Sequence, residues 1–153
     1  MRRSFAFVAL LGLVPLLAGC FTAAGLKALN ASATAEIRLR SATLGDLELA
    51  PTLCESGERH LFLGADFIDE LGLTTRLIVD PTGTAVLRFF RSATPLGPSL
   101  IFTKEECTQF ELSLSRTGWQ INDIHDLAIA LRFDCRAPSG DSATGTLTTT
   151  HCH

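Results

Sequence analysis

Residues able to do chemistry gather at three places in this 153-residue chain. Asp123, His125 and Asp126 lie together, downstream of Ser113 and Ser115. An imidazole oriented by a carboxylate and within reach of a hydroxyl is the arrangement that serine-based acyl transfer needs. The strained G-x-S-x-G elbow that presents such a serine is missing. Gly140-Asp141-Ser142-Ala143-Thr144-Gly145 has the wrong spacing and reads as a hairpin turn. Asn122, Asp123, His125 and Asp126 are therefore expected in a solvated loop or strand start, and no catalytic residue is assigned. His151-Cys152-His153 sets two imidazoles at i and i+2, on one side of a strand, where copper, nickel or zinc would suit them. A bridged Cys152 offers no thiolate, however, so neither His151 nor His153 is assigned as a metal ligand. Asp66, Asp69 and Glu70 beside Gly64 and Gly72 offer oxygens to calcium, but their spacing does not fit an EF-hand loop and they are expected on a solvated loop. No cofactor is expected.

Cysteine chemistry is more specific. Downstream of Cys20 stand Cys54, Cys107, Cys135 and Cys152, an even set with no C-x-x-C pair. This pattern points away from a redox motif or zinc knuckle and toward two disulfides in an exported domain. Each would stabilise the fold by roughly 2–4 kcal/mol, mainly by restricting the unfolded chain. Three pairings remain open.

The elements that must position these residues are strands. Ile37 and Leu39 alternate with Glu36, Arg38 and Arg40, and Leu47 and Leu49 alternate with Asp46 and Glu48. His60 to Phe67 is more uniformly apolar, and Leu73 to Val79 follows. Asp80-Pro81-Thr82-Gly83 then predicts a turn leading into Thr84 to Phe90, a hairpin. Phe89 and Phe90 would face opposite sides, both buried if each face of the sheet is covered. Thr94 to Ser99 breaks the chain. Phe110, Leu112 and Leu114 alternate with polar neighbours, and Leu127, Ile129, Leu131 and Phe133 form one face of a long strand. Trp119, after Gly118, is expected in a turn and assigned to the core, over the alternative of an exposed anchor. Pro138-Ser139-Gly140-Asp141 predicts another turn, and the threonines from Thr144 to Thr150 suit a strand with a polar outer face. A short helix over Asp66 to Leu71 is a competing expectation. Strands at this spacing predict an all-β fold, an antiparallel β-sandwich or Greek-key barrel, as one disulfide-stabilised domain over residues 34–153.

The N-terminus carries a different signal. Arg2 and Arg3 precede a 13-residue stretch, Phe5 to Leu17, that is apolar except at Gly12 and Pro15. It is too short to span a bilayer comfortably, and Pro15 would kink a permanent helix. Leu17-Ala18-Gly19-Cys20 follows, with small residues before a cysteine. Basic head, apolar run and these four positions resemble the lipobox signal of bacterial lipoproteins. That resemblance, limited to residues 1–20, implies a signal peptide over 1–19 and cleavage before Cys20. It also implies fatty acyl chains carried by Cys20, and so attachment to a membrane of the cell envelope without a transmembrane helix. Phe21, where lipoproteins kept in the inner membrane typically carry aspartate, implies the outer membrane, facing the periplasm or exterior. Residues 20–33, small and polar after Phe21, read as a flexible tether.

Removing Arg2 and Arg3 with the leader takes the formal charge from −3 to −5. An acidic domain with no basic run does not fit nucleic acid, nor anionic lipid through a basic face. The functional expectation is a non-catalytic binding or scaffolding module of the envelope, with a protein partner or none beyond the membrane. The alternatives are a carrier with an apolar cavity lined by residues such as Phe62, Leu77, Phe110 and Ile129, or an envelope hydrolase or metal protein using His125 or the terminal histidines.

Overall fold

The computed structural model describes residues 33–91 and 97–153. The leader, Cys20 and residues 21–32 lie outside the described residues. Alternation in the sequence becomes the two faces of a sheet. In β1 (Thr34–Arg40), Ile37 and Leu39 are buried while Glu36 and Arg38 face solvent. In β9 (Ile124–Arg136), Leu127, Ile129, Leu131 and Phe133 enter the core while Ala130, Arg132 and Asp134 stay exposed. In β10 (Ser142–Cys152), Thr144, Thr146 and Thr148 line the polar face. Together with β2 (Leu47–Leu49) and β8 (Cys107–Ile121), these strands form an antiparallel sheet in the order β2-β1-β10-β9-β8. The second sheet is an antiparallel meander of β3 (Leu53–Ser56), β4 (Leu63–Ile68), β5 (Leu73–Val79), β6 (Ala85–Arg91) and β7 (Ser99–Thr103). The two five-stranded sheets face one another as a β-sandwich.

Cys54 and Ser56 of β3 reach Cys152 and His125 at one end of the first sheet, whereas Phe89 of β6 packs on Phe133 toward the other. β3 and β6 thus meet the first sheet at different levels of β9. Gly145 allows β1 to close on β10. A Cβ there would stand 2.5 Å from the Glu36 carbonyl oxygen, which no side chain tolerates.

Both expected disulfides form, and their pairing is now defined. Cys54–Cys152 joins the two sheets, and Cys107–Cys135 bridges directly opposed residues of β8 and β9. The Asp80 turn is as expected: its carboxylate accepts the Thr82 and Thr84 backbone N–H groups at 2.8 and 2.9 Å, and Gly83 supplies the positive φ. Phe89 and Phe90 are both buried on opposite faces, with the Arg76 and Arg88 guanidinium groups over the Phe90 ring.

Other expectations need correction. The strand expected from His60 starts only at Leu63, because Gly57–His60 form a single 3-10 turn. The Asp66–Leu71 helix does not form. Asp66 to Ile68 belong to β4, and the Asp69 carboxylate caps a tight turn by accepting the Leu71 and Leu73 N–H groups, each at 2.8 Å. An aspartate that bonds its own turn competes with helix, and Gly72 at φ 76° completes the reversal. Asp66 is not on a solvated loop either. It is buried, with both oxygens 2.7 Å from Arg76. Strands β3 and β7 were not anticipated. The four residues of the proposed cavity do not share one space: Leu77 and Ile129 are packed core residues, Phe110 is partly buried against them, and Phe62 lies beneath the Arg76 guanidinium on the opposite face of β5.

Candidate functional site at the β8–β9 hairpin

Strand β8 runs past the edge of the sandwich. Arg116 pairs with Leu127, and beyond it the ladder shifts register before resuming at Gln120–His125 and Ile121–Ile124. Asn122 and Asp123, both at positive φ, make the two-residue turn of this projecting hairpin. The 3-10 turn Gly57–His60 docks against its base through Glu58. One Glu58 oxygen accepts two bonds from the Arg116 guanidinium, at 2.7 and 3.1 Å. The other accepts the His125 backbone N–H at 2.8 Å and lies 2.9 Å from its Nδ1. Partial burial opposes the charged form of Glu58, but the bonds from His125 and Arg116 outweigh it and hold the carboxyl below the usual glutamate range.

Leu61 closes the 3-10 turn. Its N–H reaches back to the Glu58 carbonyl, and Phe62 N–H to that of Gly57. That reversal demands the left-handed conformation, φ 64°, a position usually given to glycine. The leucine side chain is thereby held outward, 96% exposed. Glu58, Leu61, Phe62, Leu63, Arg116, Asp123 and His125 line an open groove of about 360 Å³. On the same hairpin Trp119 is 68% exposed and Ile121 47%. Trp119 is therefore not a core residue: it sits where the β8 ladder is irregular, and its backbone N–H donates to the Thr117 hydroxyl at 3.2 Å.

The residues considered for catalysis do not converge. The carboxylate at the His125 ring is Glu58, not Asp123 or Asp126. Asp126 instead accepts the Thr117 hydroxyl at 2.7 Å and lies 2.8 Å from His151 Nδ1. Ser113 and Ser115 pair with Ala130 and Ala128, on the face opposite to that of His125. Ser56 does reach His125, but it is fully buried and gives its hydroxyl to the backbone carbonyl. At the chain end Cys152 is bridged to Cys54, and His151 turns toward Asp126. Among the described residues, no three His, Cys, Asp or Glu side chains are grouped so as to hold a metal ion. Asp69 is spent on its turn and Asp66 on Arg76, so neither presents oxygens to calcium.

Sequence reasoning missed Glu58, Leu61 and Arg116. The one available signal was the charged triplet Glu58-Arg59-His60, which stands at the start of the run read as a strand. No protein-family model, curated protein or solved structure matches this chain. The groove's own chemistry is what bears on function: exposed Leu61 and Leu63 beside an internally neutralised Glu58–Arg116 pair, with Trp119 and Ile121 exposed on the neighbouring hairpin.

Proposed function

We propose that this chain is a lipid-anchored protein of the bacterial cell envelope, held by acyl chains on Cys20 and presenting its sandwich as a non-catalytic binding or scaffolding module. The string Leu17-Ala18-Gly19-Cys20, after two arginines and an apolar run of signal-peptide length, carries this reading. Two disulfides support it, because such bonds persist in oxidising compartments. Phe21 favours the outer membrane over the inner.

The test is Cys20→Ser in a bacterial host fed a labelled fatty acid. Loss of label and accumulation of the uncleaved precursor are expected. Unchanged labelling and maturation would contradict the anchor. Density separation of the two membranes, with the parent protein in the outer-membrane fraction, checks the location.

A further inference from the structure

We propose that the β8–β9 end of the sandwich rests on the bilayer surface, with Leu61, Trp119 and Ile121 dipping into its interfacial region as a second, non-covalent contact. The proposal builds on the lipid-anchor reading and adds an orientation to it.

Four of the six exposed large apolar side chains among the described residues stand at this end of the sandwich: Leu61 and Leu63 line the groove, and Trp119 and Ile121 stand on the hairpin beside it. Leu61 combines nearly full exposure with a left-handed backbone, two unfavourable features that no intramolecular packing explains. Tryptophan is well matched to the interface, with an apolar body and one N–H for the headgroup level.

The direction from which the chain arrives also agrees. Thr34 opens β1 opposite Thr148, at the end of the first sheet where β10 finishes, β9 begins and the hairpin projects. Cys20 and Thr34 are 14 residues apart. That length reaches at most roughly 50 Å, so an anchor on Cys20 can hold this end against the membrane. A few apolar side chains alone bind a bilayer weakly, but a tether supplies them at high effective concentration.

A bilayer fits better than a protein partner. The side chains are divided among the 3-10 turn, β4 and the β8 hairpin rather than set on one flat sheet face, and Glu58 and Arg116 neutralise each other. Leu61, Trp119 and Ile121 carry no charge, so their insertion should resist salt.

The only tryptophan of the chain reports on it directly. The acylated protein is reconstituted into phosphatidylethanolamine–phosphatidylglycerol vesicles with plain or chain-brominated lipid. Trp119 emission should move to shorter wavelength, be quenched by bromine, lose accessibility to iodide, and stay so in high salt. The double variant L61N/I121T should remain vesicle-bound through its acyl chains yet lose most of the bromine quenching. Vesicle-bound protein whose Trp119 stays open to iodide overturns the orientation and leaves the anchor standing. Shielding that follows protein density and ignores bromine assigns the face to a second copy and equally overturns the proposal. A mature chain without acyl mass on Cys20 removes the anchor and this contact together.

Discussion

Leu61 shows how a single residue marks the corner. A non-glycine residue in the left-handed region costs about 1–2 kcal/mol, and asparagine is among the few residues that visit it routinely. Leu61→Asn should therefore stabilise the domain by about 1 kcal/mol, read as a higher urea midpoint with unchanged slope. A lower midpoint would mean that the leucine side chain contributes packing after all. Asp66 predicts the opposite effect. Its side chain is 5% exposed and that of Arg76 12%. Asp66→Ala strands a mostly buried guanidinium and should destabilise by about 3–5 kcal/mol; a loss below 1 kcal/mol would show that solvent or the aromatic rings already satisfy Arg76. Asp66 was legible as an acid but not as a buried one, because its partner is fixed by the register of β4 on β5. Leu61 was hidden for a related reason: nothing in a leucine announces positive φ.

At the level of elements, the disulfides divide the work by loop length. Cys54–Cys152 spans 98 residues and Cys107–Cys135 spans 28. On chain entropy, removing the first pair should cost about 4–5 kcal/mol and the second about 3–4. Paired Cys→Ala variants unfolded in urea would check that order. Acid sensitivity is built into turns. Ser139, Ala42 and Ser41 lower the Asp141 carboxyl, Thr82 and Thr84 lower that of Asp80, and Glu58 is held low despite its partial burial. Folded values below unfolded ones mean that their contribution is complete above about pH 5 and declines as pH falls through 4 and below. The unfolding midpoint should follow that course, and Glu58→Gln should make the acid limb shallower; an unaltered limb would remove Glu58 from the account. β1, β9 and β10 were legible because one face is buried and the other wet, and β5 and β6 because an apolar run stands on either side of the Asp80 turn. β3 is short, and the chain turns immediately after it. β7 lies just beyond the Pro95–Pro98 stretch and adds to an edge, so neither displays a clean period.

As a whole molecule, the described residues form a sandwich of two five-stranded sheets tied together by Cys54–Cys152. Composition and strand spacing announced the all-β class and the two disulfides, but not which cysteines join or how the strands divide between two sheets, since both depend on contacts distant in sequence. The groove was illegible for the same reason: Glu58 meets Arg116 and His125 from nearly 60 and 70 positions away. The proposed location rests on the first 20 residues, and the functional account stands on it. Intact mass spectrometry of the protein purified from bacterial membranes tests that foundation most directly. The account predicts a mature chain that begins at Cys20 and carries diacylglycerol, with or without an added amide-linked acyl chain. A chain that begins elsewhere, or one with Cys20 free of acyl mass, would contradict it.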